Sequence, residues 1–151
     1  QAKLVAPFAV LGIRTEEEWL TDIDYLPINT QPLAPKNALA KEVCKQLQAY
    51  LIDASFTFDL CLHIGGTMHQ QRVWQAIQAI PSGKTNSYAD IAVQLHSAPR
   101  AVGRACGANR IPIVIPCHRV IAKNGGLGGF MNASDGNPLE IKRWLLCHES
   151  A

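Results

Sequence analysis

Residues 87–107 read Ser87-Tyr-Ala-Asp-Ile-Ala-Val-Gln-Leu95-His-Ser97-Ala-Pro99-Arg100-Ala-Val-Gly-Arg-Ala-Cys-Gly107, and they decide how the chain folds. Ser87 to Leu95 predicts a short helix and Leu95 to Ser97 a tight turn. Ser97 is the expected N-cap of a further helix with Pro99 in its first turn, where a missing N–H does no harm. Helix, three-residue turn, helix is the helix-turn-helix arrangement. The second of these helices, Arg100 to Gly107, is built mainly of small residues with arginines toward one end. Such a helix can lie very close to another surface. Small residues equally permit close packing inside a core, and composition alone leaves both open.

C-terminal to it, Asn109 precedes Ile111-Pro-Ile-Val-Ile115, a β-branched run that predicts a buried extended segment delivering Pro116-Cys117-His118-Arg119-Val120. A cysteine among apolar residues is most often an inert buried side chain. Here it is followed by His118, which can act as its base, and by Arg119, whose charge favours thiolate, while Pro112 and Pro116 restrict the backbone. On the N-terminal side, Thr67 predicts the cap of a helix running through Ile80, with Val73, Trp74, Ile77 and Ile80 on one face. Pro81-Ser82-Gly83 ends it.

Upstream of Gly65-Gly66, Phe8 to Ile13 and Trp19 to Tyr25 predict a hairpin around the polar turn Arg14 to Glu18. Ile28 to Pro35 predicts a connector, and Leu39, Val43, Leu47 and Leu51 recur at four-residue steps in an amphipathic helix from Lys36 to Leu51. Phe56 to His63 predicts a short extended piece. The expected class is α+β. An N-terminal sheet-plus-helix domain over 1–63 is followed by a mostly helical, helix-turn-helix, winged-helix-like domain over 67–151. Charge divides the same way. Residues 1–66 hold five Lys/Arg against eight Asp/Glu, whereas from Thr67 onward nine basic residues face four acidic ones, a balance suited to a polyanionic partner.

No apolar run approaches the roughly 20 residues that cross a bilayer, so no membrane association and a soluble, cytoplasmic monomer are expected. Five cysteines, odd in number and without a C-x-x-C pair, predict reduced thiols. Cys61 with His63 and Cys147 with His148 read as core packing rather than zinc ligands, as do Trp19, Trp74 and Trp144. No motif for a metal, nucleotide or methyl-donor cofactor is visible, and none is expected.

Residues 67–149 resemble the O6-alkylguanine-DNA alkyltransferases, also called methylated-DNA protein-cysteine methyltransferases. The signature Ile115-Pro-Cys-His-Arg-Val120 is intact, and Val73-Trp74, Ile80-Pro81-Ser82-Gly83, Ser87-Tyr88, Arg100-Ala-Val-Gly103, Asn109 and Lys142 through Glu149 follow in order and spacing. The first sixty residues resemble that family only loosely. The resemblance implies single-turnover transfer of an alkyl group from O6-alkylguanine in DNA to Cys117, with O4-alkylthymine as a secondary candidate substrate. His118 would be the water-relayed base, Glu149 the carboxylate orienting it, and Asn109 the tie between the Cys117 segment and the helix-turn-helix. Because guanine O6 points into the base stack, the nucleotide must be flipped out. Double-stranded DNA would be bound through its minor groove, with single-stranded DNA the lesser alternative. Ala98, Ala101 and Gly103 would enter the groove, Arg100 fill the gap in the stack, Tyr88 rotate the phosphate and donate toward purine N3, Lys142 assist, and Arg119 join the DNA-binding set. Pro112, Val120, Phe130 and Met131 would line the alkyl pocket.

Arg110 stands where the family usually has proline, and Met68-His69 where Pro-Phe is common. About five extra residues precede Lys142 in a loop from Met131 to Leu139, and Met131 predicts faster repair of O6-methylguanine than of O6-benzylguanine. Three other readings compete. A damage-sensing relative lacking the acceptor cysteine is disfavoured by Cys117 itself. A transcription factor is disfavoured because the helix after the turn lacks a row of base-reading side chains. A cysteine hydrolase is disfavoured because adjacent residues of an extended strand point to opposite faces.

Overall fold

Strands β1 (Ala2–Val5), β2 (Val10–Glu16) and β3 (Trp19–Leu26) form an antiparallel meander in the order β1-β2-β3. The computed structural model describes residues 1–122 and 137–150, which divide into two compact units, Gln1–Ile64 and Gly65–Ala151. Arg14 to Glu16, expected in the turn, instead pair with β3 as far as Glu16 opposite Trp19, leaving Glu17 in the left-handed region at φ 55°. Thr21 is the extra residue of a bulge, and its hydroxyl donates to the Arg14 carbonyl at 3.1 Å. The outer edge of β1 is taken by the connector, with Lys3 and Leu33 exchanging backbone hydrogen bonds of 2.9 and 3.1 Å.

Helix α1 (Ala38–Ile52) is capped by Asn37, whose side chain accepts from the Ala40 amide at 2.7 Å. It packs on the sheet with Val43, Leu47 and Tyr50 fully buried. Buried Gln46 explains why Phe56 to His63 stays extended without being a regular strand. Its amide donates to Asp59 O at 3.0 Å and accepts from Asp59 N at 2.9 Å, substituting for a neighbouring strand. The same segment touches β3 at a single bridge, Leu20 to Leu62. Trp19, expected in the core, is 45% exposed and meets His63 edge-on.

In the second unit, α2 (Met68–Gln78) opens on a capping box in which Thr67 and Gln70 serve each other's backbone amides. Gly66 precedes it at φ 112°, and a Cβ there would come within 2.8 Å of the Trp74 ring, so only glycine fits. Strand β4 (Asn86–Ser87) leads into α3 (Tyr88–Leu95), whose capping box is Ser87 with Asp90. After the turn His96-Ser97-Ala98 comes α4 (Pro99–Gly107). Ser97 is not its cap. Ala98 holds that position without a side-chain bond, and the Ser97 hydroxyl lies 2.8 Å from His69 Nε2, tying the turn to α2. A 3-10 helix (Cys117–Arg119) runs into β5 (Val120–Ile121), which pairs in parallel with β4, and α5 (Asn137–Ser150) follows. The residues read as a loop from Met131 to Leu139 are therefore helical from Asn137 onward.

Among the described residues no helix is long and apolar enough to cross a membrane. Cys61 and Cys147 are exposed rather than packed in a core.

Candidate active site

Asn109 lies just beyond the C-cap of α4, and its buried amide organises everything that follows. Its nitrogen donates to Ile115 O at 2.9 Å and to Cys117 Sγ at 3.2 Å, while its oxygen accepts from Ile111 N at 2.9 Å. Between these contacts the chain turns back on itself. The Ile111–Ile115 run is not an extended strut, because Ile115 N donates to Ile111 O at 3.0 Å and Ile113 sits at φ 73°. Pro112 and Pro116 have no N–H to give a ladder, so β propensity yields here to a buried turn. A β-branched residue at positive φ is strained, and such strain persists only where the surroundings impose it.

The turn hands Cys117 and His118 to the 3-10 helix, so the opposite-face geometry of a strand does not apply to them. His118 Nε2 lies 2.7 Å from Glu149 Oε2, and both side chains are buried. An ionised carboxylate only accepts, so Nε2 carries the proton and Nδ1 the lone pair. Nδ1 is buried and has no hydrogen-bond partner among the described residues. Burial lowers the His118 pKa, an effect that Glu149 opposes and the Arg119 and Lys142 charges reinforce, so the imidazole is a neutral base at neutral pH.

Arg119, expected to face DNA, points inward. Its guanidinium donates through Nε to Glu149 Oε1 at 2.8 Å, through Nη2 to Glu149 Oε2 at 2.9 Å, and through Nη1 to Ile80 O at 2.7 Å. Glu149 is thus gripped by a cation on one side and by the imidazole on the other. Sequence reasoning assigned Arg119 by its motif position. The signal it lacked was a partner, since nothing in the chain's order says that the end of α5 returns to this helix.

Cys117 is only 2% exposed. Its thiol is pushed well above the ordinary value, first by its hydrogen bond with the Cys106 thiol, then by burial and by the charge Cys106 can carry; Asn109 and Lys142 pull the other way. Arg119 was expected to favour thiolate, whereas burial and the Cys106 thiol hold the group toward its protonated form. Cys106, buried in the last turn of α4, was not singled out from sequence; only its position in a helix that Asn109 fastens to the Cys117 turn brings the two sulfurs together.

Buried Lys142 donates from Nζ to Val120 O at 2.8 Å and sits 5.8 Å from the centre of the Tyr88 ring. Burial brings its pKa down to about 8, against the pull of both thiols. Burial first, and then Cys106 and Cys117, push the Tyr88 phenol up, so it remains a donor. Tyr88, Lys142, Cys106 and Cys117 form one cluster. Pro112 and Val120 are buried, and Val120 touches the cluster through its bond from Lys142, while Phe130 and Met131 lie outside the described residues.

The outer face of α4 is separate from the cluster. Ala98, Arg100 and Arg104 are exposed, Ala101 and Gly103 half-buried, and a Cβ built on Gly103 would meet nothing within 4 Å. Trp74 anchors the inner face by donating from Nε1 to Ala105 O at 2.9 Å. A cleft of about 460 Å³ lined by Gly83, Lys84, Ile121, Arg143 and Leu146 also touches Glu149.

Residues 68–151 match the family model described as the DNA-binding domain of 6-O-methylguanine DNA methyltransferase. The chain is 42% identical over 134 residues to the constitutive methylated-DNA–protein-cysteine methyltransferase of Bacillus subtilis, covering 87% of this chain and 77% of that one. It is 42% identical over 151 residues to the methylated-DNA–protein-cysteine methyltransferase of Mycolicibacterium paratuberculosis, covering 95% and 88%. Its structure is similar to the crystal structure of Mycobacterium tuberculosis O6-methylguanine methyltransferase, with a TM-score of 0.84, 36% identity and coverage of 98% and 90%. The complex of Mycobacterium tuberculosis OGT with DNA matches with a TM-score of 0.82, 37% identity and coverage of 98% and 91%. The chain belongs to the methylated-DNA–protein-cysteine methyltransferase family.

Proposed function

We propose that this chain repairs DNA directly, moving an alkyl group from O6 of a flipped-out guanine onto Cys117 and acting once. The observation that carries the reading is the state of His118. Its Nε2 is committed to Glu149 at 2.7 Å, while its buried Nδ1 has no partner among the described residues, in the residue that follows a cysteine whose thiol must lose a proton to react. A water between Nδ1 and Sγ can take that proton to the imidazole, and Glu149, held by Arg119, stabilises the imidazolium that results.

The thiolate then attacks the alkyl carbon of the damaged base. The S–C bond forms as the C–O6 bond breaks, and the electron pair leaves on O6, spread over the purine. Tyr88, kept protonated, is the proposed donor toward that charge, and the Lys142 ammonium lowers the energy of both anions. The product is a thioether, which no group in the cluster can reverse. O4-alkylthymine would react by the same displacement.

Since the thiol is held protonated at rest, ionising it in the free protein at neutral pH costs about 1.4 kcal/mol for each unit between pH and pKa. Chemistry is thus deferred until the base arrives. The outer face of α4 suits a minor groove ~6 Å wide, since its Ala98, Ala101 and Gly103 side chains are short, and Arg100 at its exposed start suits the vacancy in the stack. Helices α3 and α4 with their three-residue turn would act as a helix-turn-helix turned toward that groove, bound through double-stranded DNA.

Intact mass after incubation with a duplex containing one O6-methylguanine tests the proposal. A gain of one methylene equivalent in the wild type and none in Cys117→Ser is the expected result; an unchanged wild-type mass would refute it.

A further inference from the structure

Helix α4 is held by α2 at two points, with nearly its whole length between them. Toward its C-terminal end Trp74 donates from Nε1 to Ala105 O at 2.9 Å. Just before its start, His69 Nε2 lies 2.8 Å from the Ser97 hydroxyl, both residues being half-buried. The second bond matters because the turn lacks the usual local supports. His96, not glycine, takes the left-handed C-cap of α3 at φ 52°, a conformation unfavourable for any residue with a Cβ. Ala98 opens α4 without a side-chain cap, and Pro99 fills its first position. The Ser97 amide donates to Ala92 O at 2.8 Å, which fixes how α3 ends but not the direction in which α4 leaves. From α2, Arg72 adds a longer bond, Nη2 to Leu95 O at 3.4 Å.

We infer that His69 is a positioning residue for DNA: by holding Ser97 it sets the tilt of α4 about its Trp74 anchor, and through that tilt the approach of Ala98, Arg100, Ala101 and Gly103 to the duplex. The inference rests on the reading of α4 as the groove-facing helix. A helix fixed at both ends meets the groove already ordered, whereas one fixed only at Trp74 is ordered during docking, at the expense of affinity. Among the described residues His69 makes no hydrogen bond to Tyr88, Cys106, Cys117, His118 or Lys142, so its loss acts on binding and not on the displacement. The bond forms whichever of imidazole and hydroxyl donates, and a glutamine at 69 presents an amide nitrogen that can donate in its place.

The test is a double-mutant cycle on the full chain, reading affinity for an undamaged duplex and the single-turnover rate of methyl transfer at saturating O6-methylguanine duplex. His69→Phe keeps an aromatic ring without its nitrogens, and Ser97→Ala removes the hydroxyl. Each should weaken duplex binding roughly 3- to 10-fold, the range of one net hydrogen bond. The double variant should bind no more weakly than the weaker single one, because both changes break the same bond. His69→Gln should restore affinity to within about twofold of the wild type, since it can remake that bond. The transfer rate at saturation should match the wild type throughout. Unchanged affinity in His69→Phe, additive losses in the double variant, or no rescue by His69→Gln would overturn the inference. A loss in His69→Phe with none in Ser97→Ala would also overturn it, showing a histidine that meets phosphate directly, and so would a fall in the saturated rate, which marks a general loosening of the fold. Coupling of His69 to Ser97 in duplex affinity, in a chain that transfers no methyl, would remove the repair reading and leave this one standing.

Discussion

Replacing Arg119 by alanine separates the structural account of that residue from its expected role at DNA. The guanidinium supplies two bonds to Glu149 and one to Ile80 O, and its side chain is 11% exposed against 2% for Glu149. Its removal leaves a buried carboxylate with the imidazole as its remaining charge-capable partner in this bond set, and orphans a carbonyl at the end of α2. Breaking a buried pair by deleting one partner costs about 3–5 kcal/mol, and the partial exposure of Arg119 argues for the lower end, near ~3 kcal/mol. For a unit of this size that is a fall of roughly 10–20 °C in melting temperature. Arg119→Lys keeps the charge but loses the fork and should fall between. Urea unfolding followed by tryptophan fluorescence gives the stability, and DNA binding at several salt concentrations gives the number of phosphate contacts. A DNA-facing arginine would instead leave stability within about 1 kcal/mol and reduce the salt slope by ~0.9. That pair of results would refute the inward placement.

Native-state alkylation of Cys117 by iodoacetamide should keep accelerating as pH rises through the ordinary thiol value of 9.0, because the thiol is raised above it; an inflection near neutrality would show a resting thiolate. Asn109→Ala removes side-chain bonds to Ile111 N, Ile115 O and Cys117 Sγ, and should cost about 3 kcal/mol and push that inflection higher still, as thermal melts and the same alkylation profile will show. His118 binds its proton less readily in the folded chain than at the ordinary 6.5, so between its lowered native pKa and 6.5 the unfolded chain holds more protons and stability falls as pH drops; His118→Gln should flatten that dependence in urea titrations between about pH 5 and about pH 7.5. Gly103→Ala should raise helix stability by about 0.5–1 kcal/mol, since its Cβ meets nothing, whereas Gly103→Trp should leave the fold intact and weaken duplex binding at least tenfold; equal DNA affinity for the two variants counts against α4 as the groove-facing helix.

The helices of the second unit are legible because their caps are local. Thr67 with Gln70 and Ser87 with Asp90 announce their helices at a spacing of three, and each forms both bonds of a capping box. Ser97 misled for the same reason, since a hydroxyl before Pro99 looks like a cap but finds His69, which is 28 residues away. The Ile111–Ile115 run misled because β-branched residues favour strands only where a partner strand exists, and here Asn109 and two prolines impose a turn. Strand β1 is four residues long and gives too short a pattern to read alone. The resemblance around Cys117 implied that Glu149 orients His118, and the two side chains lie 2.7 Å apart. It did not carry the ionisation state, which depends on burial and on Cys106 from another helix.

The most direct measurement is a titration of the protein with increasing amounts of a duplex carrying one isotopically labelled O6-methylguanine, scoring both restored guanine and the labelled peptide. The account predicts that guanine restored levels off at one equivalent per chain, with all label on the Cys117 peptide. Continued turnover beyond that equivalent, or label on Cys44, Cys61, Cys106 or Cys147 instead, would contradict it.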